Sequence, residues 1–247
     1  MNTILKAIVL LFVLFPTFVF AETEKKEVIL MTSGHGSAAK ATLIKSLTSD
    51  LNFELVNYST KGKSDEEISQ RWLSAELILL DGINPMLTKF MFGQLTKYVE
   101  MFPEVPVIAL GDLNHQGLNN GLNMDTKQTI ADYFNNAGRE NYRNLMLYLS
   151  DEFFGLGKQE YGKPYLVPNV GLYHYAYEAT GEKQVTSNET RFYQWLNASS
   201  TQPKIAIGMH RSVVDYEQQQ VVDALIQGLE NKGAKAFGFF FEGNDEA

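Results

Sequence analysis

From Glu27 onward the chain alternates short, continuous apolar runs with stretches whose apolar residues recur every three or four positions. Residues 28–32 (VILMT), 53–58 (FELVNY), 77–80 (LILL) and 105–110 (VPVIAL) read as strands. The unbroken apolar character of VILMT and LILL is that of strands covered on both faces, where no side chain has to meet water. Between them, residues 38–51 place Ala41, Ile44, Leu47 and Leu51 at helical spacing. Ser64, with Glu67 three positions later, has the spacing of a capping box. Residues 85–101 read as a third helix. Strands that alternate with helices in this way pair in parallel, because a parallel neighbour can be reached only through a crossover.

Beyond the fourth strand, residues 114–123 (NHQGLNNGLN) read as a Gly/Asn-rich loop, and residues 125–136 and 139–154 as two consecutive helices. The texture then changes. Residues 157–171 combine prolines, glycines and aromatics and read as a connecting segment, with a short helix at 188–196. Residues 203–209 (PKIAIGM) and 235–241 (KAFGFFF) read as strands around a helix at 217–232. The predicted layout is a leader (1–21), an N-terminal α/β domain (27–156), a connecting segment (157–202) and an incomplete second α/β unit (203–247). The fold class is α/β: a Rossmann-like, mostly parallel sheet flanked by helices, followed by the start of a second β-α-β unit.

The leader assignment rests on a short positive start, an apolar run at residues 7–20, and Val19-Phe20-Ala21 ahead of the polar ETEKKE. That is the order of a cleavable export signal, and the run falls short of the roughly 20 apolar residues that a membrane span needs. A periplasmic or secreted protein with no membrane attachment after cleavage is expected. A formal charge of −8 without basic clusters argues against nucleic acid as a partner. The absence of cysteine excludes disulfides, thiolate metal sites and a thiol nucleophile.

Two stretches carry chemistry. Residues 168–174 read PNVGLYH, and residues 204–243 contain Arg211-Ser212, Asp223-Ala224-Leu225-Ile226, Leu229-Glu230 and Gly233. Together they resemble the large subunit of CobN-type cobaltochelatases and its magnesium-chelatase counterpart, although Tyr175 stands where that family usually has proline. The resemblance implies a tetrapyrrole ligand (corrinoid or porphyrin) and a divalent metal as substrates, handled for metal insertion or removal. It also implies ATP hydrolysis on separate subunits of the chelatase type as partners. An exported relative that binds a tetrapyrrole or other small ligand without turnover is the alternative.

On the residues themselves, His174 among Tyr173, Tyr175 and Tyr177 suits a flat macrocycle, with the imidazole as an axial metal ligand. The alternative is an aromatic junction between subdomains. His210, Arg211 and Ser212 follow a strand, at the end where open α/β sheets collect ligands. There Arg211 forks onto a ring carboxylate or amide, caps the next helix, or bridges to an acid such as Asp215. Gly34-His35-Gly36-Ser37 reads as a tight turn, and Lys40 beyond it does not complete a phosphate-binding loop, so no ATP site is expected. Asp81 and Asp112 end two strands and are candidates for a carboxylate pair in one cleft; His115 is expected on an exposed loop.

Overall fold

A computed structural model describes residues 25–32, 37–82, 84–119, 121–155, 160–179, 182–197 and 201–242. The leader and the Gly34-His35-Gly36 turn lie outside the described residues, as does the end of the chain.

The first lobe is a sheet of four parallel strands in the order β2-β1-β3-β4. They are β1 (Lys26–Thr32), β2 (Phe53–Asn57), β3 (Leu77–Asp81) and β4 (Val107–Ala109). Every residue of β3 is buried, as its unbroken apolar run requires. Alternate side chains feed two cores. Val28, Leu30, Leu77 and Leu79 point to one side, where they meet α1 (Ser37–Ser46), α4 (Met124–Asn136) and α5 (Gly138–Phe154). Ile29, Met31, Ile78 and Leu80 point to the other, against α2 (Asp65–Leu73) and α3 (Pro85–Met101). The capping box at α2 is formed as its spacing predicts: Ser64 Oγ accepts from the Glu67 N–H, and the Glu67 carboxylate accepts from the Ser64 N–H.

The second lobe is a separate four-stranded sheet of order β6-β5-β8-β7. Its parallel pair, β7 (Lys204–His210) and β8 (Lys235–Phe241), is the β-α-β unit that periodicity predicts, joined through α7 (Ser212–Asp215) and α8 (Gln220–Glu230). The remainder differs from the sequence expectation. The stretch read as a connector contains β5 (Val170–Ala179) and β6 (Glu182–Thr186) beside the expected short helix, α6 (Glu189–Leu196). β5 runs antiparallel to both β6 and β8. The second sheet is therefore mixed and begins at residue 170.

One face of this sheet is covered by α8: Val222 and Ile226 pack on Tyr173, Met209, Ala236 and Phe240. Two glycines make room for those rings. A Cβ at Gly171 would lie 2.6 Å from Phe240 Cζ, and one at Gly238 would lie 3.0 Å from both Tyr173 and Met209. The other face is covered only in part, where Phe192 and Leu196 of α6 pack on Leu172, Tyr177 and Phe237.

Candidate functional site

The parallel sheet of the first lobe ends in Asp81, at the carboxyl edge of its central strand. Lys40 lies in the first turn of α1, on the same helical face as Ile44 and Leu47, so it is carried inward. Its Nζ stands 2.9 Å from Asp81 Oδ2, with both side chains buried. Burial pushes the Asp81 carboxyl up, and the Lys40 ammonium pulls it back toward ionisation. The ammonium also lies over the rings of Phe134 and Tyr216. Tyr216 belongs to the second lobe, so this ion pair sits at the junction.

Asp81 does not share an open cleft with Asp112, as the sequence expectation had it. Gly82 and Gly111 run in backbone contact just beyond β3 and β4, and a Cβ at Gly111 would overlap the Gly82 carbonyl oxygen. Asp81 is fully buried and takes Lys40 as its partner. His115 is half-buried and not loose on the surface; its ring meets the Phe92 ring edge-on at 4.9 Å.

Arg211 lies on the other side of the same junction and is 3% exposed. Its guanidinium spends its donors within the fold. It donates to Asp215, to Asn169 Oδ1 at 2.7 Å, to Glu242 Oε2 at 3.0 Å, and to the carbonyls of Asn135 and Asn136 that close α4. A guanidinium offers five N–H groups, and here they tie both lobes together, leaving none aimed at a ring carboxylate. Burial, only partly offset by Arg211, raises the Asp215 carboxyl to about 6. The bridge to Asp215 weighed in the sequence is thus the one formed.

His174 is remote from that cluster. Arg211 N–H bonds to the Phe241 carbonyl, Phe241 pairs with Val170, and His174 lies four residues farther along β5. That is roughly 13 Å at about 3.3 Å per residue. His174 is packed between the rings of Tyr175 and Trp195. Its Nδ1 accepts the Ala176 N–H at 3.0 Å, and its Nε2 faces Glu230 at 3.4 Å. Both ring nitrogens are thus turned toward protein, and burial holds the imidazole below its usual protonation range. An axial position on a metal needs a bare nitrogen lone pair, and here both ring nitrogens face groups of the protein. Tyr173, whose OH donates to Asp223 at 2.6 Å, is likewise committed to the α8 side, and Tyr175 OH lies 3.4 Å from Glu230. The structure does not bring the six sequence candidates to one place.

Of them, His210 is exposed, and Ser212 and Tyr175 are half-buried. In β7 the side chains of Ala206, Gly208 and His210 alternate with those of Ile205, Ile207 and Met209. Ala206, Gly208 and His210 therefore share the uncovered face with Phe237, Phe239 and Phe241, their partners on β8. Phe239 is 37% exposed and Phe241 42%, with their ring centroids 5.8 Å apart. Val170 flanks them on β5. Beside Phe239 a groove of about 270 Å³ opens among Val170, Leu172, Tyr193, Ala206 and Phe237, with Ser187 and Glu189 at its margin. The floor is flat because Ala206 and Gly208 raise almost nothing above the backbone. At its rim, His210 Nδ1 accepts from the Ser212 N–H at 3.1 Å and lies 2.8 Å from Ser212 Oγ. With Nδ1 occupied as an acceptor, a neutral ring carries its proton on Nε2, so His210 presents a donor. The sequence signal for this face was the alternation of Phe237, Phe239 and Phe241 in KAFGFFF, which puts three rings on one side of the strand.

This fold and surface define a two-lobed α/β protein, with one parallel sheet and one mixed sheet. Residues 131–247 match the CobN/Magnesium Chelatase family, so that stretch is similar to cobaltochelatases and magnesium chelatases. The uncharacterized protein MJ0908 of Methanocaldococcus jannaschii is 26% identical over 203 residues, which are 77% of this chain and 15% of that one. Among solved structures, the catalytic subunit of cobaltochelatase from Mycobacterium tuberculosis matches with a TM-score of 0.54 and 16% identity, over 89% of this chain and 16% of that chain. That likeness establishes the fold. The chain spans about one-sixth of the length of these relatives.

Proposed function

We propose that this chain is a tetrapyrrole-binding module of chelatase type, exported by its N-terminal leader, and that the ring lies on the open face of the second sheet. The observation that carries the reading is the face formed by Phe239, Phe241, Val170, Ala206 and Gly208. It is flat, apolar and bordered by aromatic rings, and these are the properties a planar macrocycle requires. The His210 Nε2–H at the rim suits a carboxylate or amide on the ring's periphery, whose oxygens accept such a donor. The groove beside Phe239 takes one edge of the macrocycle, and the rest lies across the two phenylalanines.

The family match makes corrinoids and porphyrins the ring classes to test, with a divalent metal as the co-substrate of that family's chemistry. Metal insertion or removal is proposed for a longer assembly with other chelatase-type subunits. Binding of the ring is proposed for this chain by itself.

The test is an absorption titration of the purified chain with a metal-free porphyrin and, separately, with a corrinoid. A saturable shift of the ring's visible band is expected for one of them. No shift with either ring at tens of micromolar protein would overturn the reading. If the ring's metal content changes on incubation with the chain alone, catalysis belongs to this module as well.

A further inference from the structure

Residues 211–217 reach from the second lobe into the first. Arg211 donates to the carbonyls of Asn135 and Asn136, at the end of α4. Glu217 receives both arms of the Arg139 guanidinium, from Nε at 2.6 Å and from Nη2 at 2.5 Å, at the start of α5. Tyr216 packs against the core of the first lobe, and the Lys40 ammonium of α1 lies 5.5 Å from the centre of its ring.

These residues cover the ligand end of a sheet. In the order β2-β1-β3-β4 the chain builds outward from β1 to β2, then returns to the other side of β1 with β3. The strand order therefore switches between β1 and β3, where open α/β sheets admit ligands beyond the carboxyl ends of the strands. Asp81 closes β3 at that point with Lys40 on it, and the rings of Phe134 and Tyr216 lie over the ammonium. Part of the cover is thus supplied by the second lobe.

Asp215 sits within this contact, 9% exposed. Its approach to Arg211 Nε is long, 3.3 Å from Oδ2 and 3.4 Å from Oδ1. The same guanidinium makes shorter bonds to Asn169 at 2.7 Å and to Glu242 at 3.0 Å. A carboxyl drawn out of water beside a cation that it shares with a second carboxylate favours its protonated form. Burial accordingly raises it to about 6; Arg211 and Lys40 draw it back toward ionisation, and Glu242 opposes them. Asp81 lies behind Lys40, while Tyr142 of α5 and Tyr216 are themselves raised by burial and stay neutral. Swinging the segment out returns water to Asp215 and with it the ordinary value of 3.8. The docked segment therefore holds the proton more tightly than the released one. Docking is fully favoured below pH 3.8 and weakens as pH rises through 6.

We infer that residues 211–217 form a proton-operated latch: docked, they hold the second lobe over the ligand end of the first sheet, and ionisation of Asp215 releases them while both sheets stay folded.

Hydrogen exchange read by mass spectrometry on the purified full chain tests this, with Asp215→Asn measured at each pH so that the chemical exchange rate cancels. Segment 211–217 is expected to exchange well ahead of β3, whose amides report unfolding of the sheet. From pH 4.5 to 7.5 the opening of the segment in wild type, relative to Asp215→Asn, is expected to rise about thirtyfold, the ratio set by carboxyl values of about 6 and 3.8. Because the sequence has no cysteine, Arg139→Cys with Glu217→Cys can be joined across the junction by a short bifunctional thiol reagent, and that lock is expected to abolish the rise. Equal protection of the segment and β3 would overturn the inference, since the segment would then open only with the whole fold. A ratio that does not change with pH would overturn it as well. So would a rise that survives the lock, which would mark fraying of α7 alone.

Discussion

Lys40 Nζ and Asp81 Oδ2 stand 2.9 Å apart inside the protein, joining the first turn of a surface helix to the end of the central strand. Two charges removed from water stabilise little as a pair, yet each is costly without the other. Asp81→Asn or Lys40→Met is therefore expected to lose about 3–5 kcal/mol, measured by urea denaturation. The double replacement Lys40→Met with Asp81→Leu, which removes both charges, is expected to recover most of that loss. Equal losses in single and double variants would show that the pair is not the source.

Asp215 supplies a pH signature. Its folded carboxyl is raised to about 6 from an unfolded value of 3.8, so between those values the folded state holds more protons than the unfolded state. The stability that this group contributes is fully present below pH 3.8 and is lost as pH rises through 6. The slope is at most about 1.4 kcal/mol per pH unit. Arg211, Glu242, Lys40, Tyr142 and Tyr216 are the charged or titratable groups around it. The comparison is between wild type and Asp215→Asn: the stability of wild type relative to the variant is expected to fall from pH 4 to 6.5. A flat difference would place the Asp215 carboxyl in the ordinary range.

His174 should prove structural. Its replacement by alanine opens a space between Tyr175 and Trp195 and strips the Ala176 N–H of its acceptor. A loss of about 2–3 kcal/mol in thermal or urea unfolding is expected, the usual range for a buried packing defect joined to a lost hydrogen bond. Ring affinity at temperatures where the variant stays folded should be unchanged. A selective loss of ring binding with stability intact would return His174 to the site.

Ser64→Ala removes the acceptor that holds the Glu67 N–H at the start of α2. About 1 kcal/mol of stability should be lost, with ring binding unaffected. This provides a calibration for the variants above.

The parallel lobe was legible in the sequence because its strands are buried on both faces: VILMT and LILL need no partner to be recognised. The hairpin of β5 and β6 was not. β5 reads VGLYHYAYEA, where apolar and aromatic residues occupy nearly every position. Its pairing shifts between Tyr173 and Glu178, which breaks the two-residue alternation that marks a half-buried strand. β6 reads EKQVT and has little apolar signal. The surroundings of the candidate residues were legible only in part. His210 and Ser212 were named from their place after a strand, and they do border the open face. Arg211 beside them turns inward because Asn169 and Glu242, 42 and 31 positions away, converge on it. Lys40 left a faint trace, as the lysine on the face that also carries Ile44 and Leu47, but its partner is 41 positions distant. Periodicity describes neighbours along one element, and these contacts are made between elements.

The most direct measurement is the affinity of a porphyrin or corrinoid for three purified proteins: wild type, Phe239→Ala with Phe241→Ala, and His174→Ala. Two exposed aromatic rings removed from a stacking surface are expected to weaken binding by roughly 1–3 kcal/mol, about five- to 150-fold, while His174→Ala binds as wild type does. Undiminished binding by the double phenylalanine variant would contradict the assignment of the ring to the open face of the second sheet.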